Sequence, residues 1–181
     1  MNDQDKIIDL RQSDEDEADF AHEYYKKAWV FDQYQDDRIS LFRSVLFDLN
    51  LPAGYVVMFG THNCKVFNTW CEQWGKERCL GFELYNEDRL NNVVVMDVRG
   101  LGDWCKTPIS LCWNDVGSWE RTPQARMYSY TWAKNNIVKG GYYLESGNDI
   151  AGWDLELDML DNGFAVDKII LDGAYILYEK L

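Results

Sequence analysis

Tyr55-Val56-Val57-Met58-Phe59-Gly60-Thr61-His62-Asn63 is an apolar run that breaks at a glycine into a polar loop, and the fold turns on how it is read. A short apolar run bounded by turn residues and followed by a helix is a parallel strand buried on both faces. Leu51-Pro52-Ala53-Gly54 supplies the turn before it. After it, Val66, Phe67, Trp70, Cys71 and Trp74 fall on one side of a helix that Gly75 closes as C-cap.

The same unit repeats outward. Cys79-Leu80-Gly81-Phe82-Glu83-Leu84 reads as a second strand with an acid near its end. A connection through Tyr85–Asn92 leads to a third, Val93-Val94-Val95-Met96-Asp97, again ending in an acid. Ile109-Ser110-Leu111-Cys112-Trp113 is a fourth, running into Asn114-Asp115. Thr122-Pro123 gives an N-cap followed by proline at the first helical position. Met127, Tyr130, Thr131, Lys134, Ile137 and Val138 predict that this helix reaches Gly140-Gly141, before a fifth strand at Tyr142-Tyr143-Leu144-Glu145. Trp153, Leu157 and Leu160 mark a further helix closed by Asn162-Gly163. Ile169-Ile170-Leu171 and Tyr175-Ile176-Leu177-Tyr178 flank Asp172-Gly173, a hairpin signal.

Upstream, Phe20, Tyr24, Ala28 and Phe31, then Ile39, Phe42, Leu46 and Leu49, predict two helices. A break is expected at Gln35-Asp36-Asp37, with Asp36 as N-cap of the second. Alternating strands and helices specify an α/β protein with a doubly wound, mostly parallel sheet that finishes in an antiparallel hairpin. Residues 20–50 form a helical extension and 54–181 the α/β core, together one domain over 20–181. Residues 1–19, dense in Asp and Glu, are expected to be a flexible acidic segment.

A net charge of −13, from 31 acidic against 18 basic residues, disfavours nucleic acid and anionic lipid as partners, since both are approached through cationic patches. With 46% hydrophobic and 15% aromatic residues the chain can bury a substantial core. Cys64, Cys71, Cys79, Cys105 and Cys112 contain no CxxC pair, and His22 and His62 are the only histidines, so no zinc spacing can be assembled. The cysteines read as buried free thiols in a reducing, cytoplasmic setting, with no membrane span and no signal peptide.

This order of elements resembles the class I S-adenosylmethionine (SAM)-dependent methyltransferases. The likeness rests on the Val56–Asn63 run at the place of the family's glycine-rich loop, Glu83 after the second strand, Met96-Asp97-Val98 after the third, and Asn114-Asp115 after the fourth. The loop keeps one glycine, Gly60, where the family has several. The resemblance implies a three-layer αβα sandwich around about seven strands. It implies SAM as cofactor, bound by Phe59, Gly60, Thr61, His62, Asn63, Glu83, Leu84, Asp97, Val98 and Asn114. Glu83 would accept hydrogen bonds from both ribose hydroxyls, and Asp97 with the Val98 backbone would meet the adenine edge.

Asp115 and His62 are the candidate catalytic residues, either able to take a proton from an acceptor. Asp115 with Glu145 forms a candidate Mg²⁺ site, as oxygen ligands suit that cation. Each also has a plainer reading: a strand-end acid facing water, an Asp closing its own turn, a histidine bonded to loop backbone. Trp104, Trp113, Trp119 and Trp153 are candidates to wall a flat ligand, whereas Trp70 and Trp74 belong to a helix core face. The expected function is methyl transfer to a small molecule, an oxygen acceptor being one option. The alternative is a methyltransferase-like fold kept for binding without catalysis. A nicotinamide enzyme would show G-x-G-x-x-G after the first strand, and this chain does not.

Overall fold

The computed structural model describes residues 28–61, 64–83, 91–103, 107–116, 123–146, 155–171 and 174–181, with side chains from residue 35. Their order is α1 (Ala28–Val45), β1 (Tyr55–Phe59), α2 (Lys65–Trp74), β2 (Cys79–Glu83), β3 (Val93–Val95), a 3₁₀ segment (Val98–Asp103), β4 (Ile109–Asn114), α3 (Pro123–Asn136), β5 (Ile137–Ser146), α4 (Leu155–Asp161), β6 (Phe164–Ile170) and β7 (Tyr175–Lys180). The acidic segment 1–19 lies outside the described residues.

The strands form one sheet in the order β3-β2-β1-β4-β5-β7-β6. β1 pairs in parallel with β2 and β4, β2 with β3, and β4 with β5, while β7 is antiparallel to both β5 and β6. The chain builds outward from β1 through β2 to β3, then returns to place β4 on the other side of β1. That reversal makes the carboxyl ends of β1 and β4 the switch point, where open parallel sheets bind ligands.

Side-chain alternation in β1 shows why the sheet is covered twice. Val57 and Phe59 join Phe82, Cys112, Tyr143 and Tyr178 beneath α3, α4 and the 3₁₀ segment. Val56 and Met58 join Phe42, Leu46, Phe67, Trp70, Leu111 and Trp113 beneath α1 and α2. A strand apolar at every position therefore has a helical layer for each set of side chains. α1 locks onto its neighbours through edge-on rings: Phe42 lies 4.7 Å from Trp113, 5.9 Å from Trp70 and 5.8 Å from Tyr175.

Several elements differ from the sequence reading: β6 begins at Phe164 rather than Ile169, and the last helix buries Leu155 and Met159 rather than Leu157 and Leu160. α1 runs unbroken through Gln35-Asp36-Asp37. No Gly or Pro interrupts it, and Asp36, read as a cap, instead sits mid-helix in a 2.8 Å ion pair with Lys65 at the start of α2. The helix turns inward the face that its apolar spacing predicts, with Phe42 and Leu46 fully buried, and Gln35 and Arg38 are buried on that same face. Further along, α3 stops at Asn136, and Ile137 and Val138 already belong to β5. Ile137 pairs with Ile109, which leaves Gly140-Gly141 as a bulge inside the strand rather than a helix stop. A Cβ at Gly141 would stand 2.9 Å from the Val138 carbonyl oxygen, so the bulge needs glycine there.

Candidate functional site

The site is built on the loop leaving β1. The Gly60 N–H donates to the Phe82 carbonyl at 2.9 Å, and the Asp115 N–H to the Phe59 carbonyl at 3.0 Å. The loop is thereby clamped between the ends of β2 and β4. Gly60 has φ +76, and a Cβ there would lie 2.6 Å from the Asp115 carbonyl oxygen. Only glycine meets both conditions. Thr61 is buried above Gly81, where an added Cβ would come within 2.6 Å of its methyl group. His62 and Asn63 lie outside the described residues.

At the far side of the loop Cys64 takes the left-handed conformation, φ 61, at the start of α2. The sequence reading missed this position, because cysteine carries none of the signal a glycine would. Its amide donates to the Thr61 carbonyl at 2.8 Å and its carbonyl accepts from Asn68 at 2.7 Å, which makes the turn compact.

Glu83 ends β2, half-buried, beside the Gly60 loop, with its carbonyl taken by the Met96 N–H at 3.0 Å. Leu84 is outside the described residues. Asp97 adopts the turn-forming role weighed against its ligand role. Its Oδ1 accepts from the Arg99 N–H at 2.9 Å, its carbonyl accepts from Gly100 at 2.9 Å, and the Arg99 guanidinium pairs with its carboxylate. Val98 is buried at the head of the 3₁₀ segment.

The acids after β4 and within β5 belong to a buried network instead of facing an open cleft. Asp115 accepts from Arg38 of α1 at 2.5 Å and from the Ser146 hydroxyl at 3.0 Å. Arg38 also donates to the Tyr175 hydroxyl at 3.1 Å and stands 4.9 Å over the Trp113 ring. Glu145, fully buried, accepts from Arg126 Nε at 2.9 Å and from the Tyr143 hydroxyl at 2.5 Å. Asn114 donates to Tyr143 at 3.0 Å and accepts from Ser129 at 3.0 Å. Burial works against the Arg126 charge, yet the Glu145 carboxylate beside it, with Asp115 further off, outweighs that and holds its pKa above the ordinary value. Burial pushes the Tyr143 hydroxyl well up, with Glu145 adding to it, so this tyrosine stays a neutral donor.

This geometry bears directly on the candidate Mg²⁺ site. Asp115 and Glu145 are each matched to an arginine, which supplies the positive charge that a cation would bring. Among the described residues no group of three or more His, Cys, Asp or Glu could hold a metal ion. Trp113, a candidate wall of the ligand site, is buried between Phe42, Trp70 and Arg38. Trp104, Trp119 and Trp153 are outside the described residues. Trp70 is core, as its helix spacing predicts.

Arg38 and Arg126 are the residues that sequence reasoning overlooked. A weak signal existed for both. Gln35, Arg38 and Phe42 share one side of a helix, as do Arg126, Ser129, Tyr130 and Ala133. A charged residue on such a face is a buried-pair candidate, though nothing local names its partner.

The sheet order, the glycine at the switch point and the closing antiparallel pair together define the class I SAM-dependent methyltransferase fold. Solved structures share it. A TDP-rhamnose 3′-O-methyltransferase of calicheamicin biosynthesis is 15% identical, with a TM-score of 0.54 over 81% of this chain and 78% of that one. A Burkholderia thailandensis 1,6-didemethyltoxoflavin N1-methyltransferase, solved with its acceptor and S-adenosylhomocysteine, is 13% identical, with a TM-score of 0.57 over 90% and 86%. A candidate RNA methyltransferase from Pyrococcus horikoshii is 11% identical, with a TM-score of 0.57 over 80% and 83%. At these identities the likeness is one of fold. No protein-family model matches the sequence, and no curated protein matches it.

Proposed function

We propose that this chain is a SAM-dependent methyltransferase acting on a small-molecule acceptor. The observation that carries the reading is the junction at the switch point. Gly60, clamped between the ends of β2 and β4, opens a loop directly beside Glu83. A carboxylate at that place is the kind of group that would accept hydrogen bonds from a vicinal diol, which fits the ribose of SAM. Bound there, SAM supplies an electrophilic methyl group.

The chain's own residues then have distinct tasks. Backbone of Phe59–Asn63 approaches the methionine end, Glu83 and Leu84 hold the ribose, and Asp97-Val98 lies along the adenine edge. Asp97 already engages Arg99, so the Val98 backbone carries more of that contact than a free carboxylate would leave it. Asn114 holds the end of β4 through Tyr143 and Ser129. Asp115 orients rather than deprotonates: its carboxylate holds Arg38 and with it the helix α1 beside the site. An oxygen acceptor would give up its proton to His62 or to water. Catalysis then rests chiefly on bringing acceptor and methyl together away from bulk water.

The net charge of −13 favours a small acceptor over RNA. A second reading, a methyltransferase fold kept for binding alone, draws on the pairing of Asp97, Asp115 and Glu145 with arginines.

Calorimetric titration of SAM and S-adenosylhomocysteine into the purified protein tests both readings. Micromolar binding is expected, weakened by roughly 10- to 100-fold in Glu83→Ala, because a charge-assisted hydrogen bond is worth about 1.5–3 kcal/mol. If folded protein binds neither ligand, the methyltransferase reading fails and the binding-only alternative takes its place.

A further inference from the structure

Among the described residues, four buried side-chain N–H groups have no hydrogen-bond partner: the indoles of Trp70, Trp113 and Trp132, and the amide Nε2 of Gln35. The indoles belong to ring clusters, Trp70 and Trp113 against Phe42, and Trp132 against Phe59 and Phe82. Gln35, 1% exposed, stands at a different place, which its neighbours fix. α1 runs counter to β4, for Phe42 packs on Trp113 while Arg38, a turn earlier in the helix, reaches Asp115 further along the strand. Gln35 lies three residues, roughly 5 Å, further in that direction, past the carboxyl end of β4. Its Cβ leans toward the start of the helix, and so away from the strand end. Asp36 beside it pairs with Lys65, just after the loop that leaves β1. Gln35 is therefore held over the switch point, between that loop and the end of β4.

A buried donor with nothing to donate to costs stability. In native folds such a group marks a bound ligand, an ion or an ordered water. We infer that Gln35 binds the methyl acceptor, its amide N–H donating to a neutral carbonyl oxygen of that molecule. The inference rests on the methyltransferase reading and adds to it the chemistry of the acceptor. Charge selects a neutral group. Arg38, the cation on this face of α1, is already matched by Asp115 at 2.5 Å, so an anion beside Gln35 would be buried without a countercharge. A hydroxyl would bring a proton that needs an acceptor of its own, whereas a carbonyl only accepts. Arg38 lies 4.9 Å over the Trp113 ring and donates to the Tyr175 hydroxyl, and rings at that place suit a flat acceptor.

Three aryl probes of one shape test this. Acetophenone carries a neutral carbonyl, benzoate an anion, and ethylbenzene no oxygen. Each is titrated into the full chain saturated with S-adenosylhomocysteine, while the Gln35 side-chain amide is followed in proton–nitrogen correlation spectra. Acetophenone should move that signal and saturate at millimolar concentration, and the other two should leave it in place. Gln35→Met keeps the shape of the side chain without the donor. In this variant acetophenone should bind roughly 10-fold more weakly. S-adenosylhomocysteine should bind as before, and the urea midpoint should hold or rise, because an unmet donor has been removed.

A Gln35 signal that acetophenone does not move overturns the inference, and so does benzoate binding as well as acetophenone. A lower urea midpoint in Gln35→Met overturns it too, by giving the amide to a buried water. A matching loss of S-adenosylhomocysteine affinity does the same by giving it to the cofactor. If wild-type protein binds no S-adenosylhomocysteine, the SAM reading fails on its own, and acetophenone titrated into the unloaded chain still decides whether Gln35 reads a carbonyl. The wild-type titrations settle the matter even if the variant does not fold.

Discussion

The Arg126 side chain is 4% exposed and its partner Glu145 is fully buried, so neither charge has water to fall back on. Around them the Tyr143 hydroxyl donates to Glu145, and the Asn114 carbonyl and Ser146 hydroxyl accept from Arg126. Removing one member of such a pair strands the other, at about 3–5 kcal/mol. Arg126→Met keeps most of the volume and should therefore lose about that much stability in urea unfolding. Replacing Arg126 and Glu145 together by apolar residues of similar size should recover most of the loss. A cost below about 1 kcal/mol for Arg126→Met would mean that Glu145 finds water or takes up a proton. These partners were not legible in the sequence. Arg126 and Glu145 sit on different elements, and Arg38 and Asp115 lie 77 positions apart. No periodicity connects them.

At the scale of elements, α4, seven residues long, is tied to α3 by polar contacts. Asp158 of α4 accepts from Lys134 at 2.7 Å and from the Tyr130 hydroxyl, and Lys134 lies 4.9 Å over the Tyr130 ring. Burial alone would raise the Asp158 pKa, but the bonds from Lys134 and Tyr130 outweigh it and hold it below the ordinary 3.8. A carboxylate with a depressed folded-state pKa stabilises fully above its unfolded value, and the contribution is lost as pH falls through the folded value. Stability should therefore fall below about pH 3.8, and Asp158→Asn should flatten that part of the profile while costing stability near neutrality. Equal slopes for wild type and variant below pH 4 would remove Asp158 from the account. β1 to β4, β7, α2 and the start of α3 were legible because period-two and 3.6-residue patterns, together with Gly and Pro, mark them locally. The unbroken α1 was not, since Asp36 reads as a cap until Lys65 arrives from α2 to pair with it. Nor was the early start of β5, where Ile137 follows helical spacing but is drawn into the sheet by its neighbour Ile109.

For the whole molecule the dominant property is charge. With 31 acidic residues against 18 basic ones, its long-range field is expected to repel phosphate backbones. The fold itself is shared with a candidate RNA methyltransferase as well as with small-molecule enzymes, so topology does not choose the acceptor. A gel-shift titration with structured RNA should show no complex at micromolar protein, even at low salt where electrostatic binding is strongest. A salt-sensitive complex would reopen nucleic acid as the acceptor class. By itself the sequence determined the alternating α/β order, the closing hairpin, the glycine at the switch point and the acid after the second strand. Each of these is written in residues close together, through side-chain period and backbone freedom. Only the tertiary structure decided which acids remain beside the loop and which are buried against arginines. Ion pairing depends on where distant segments meet, and burial makes each such meeting an all-or-none commitment of charge.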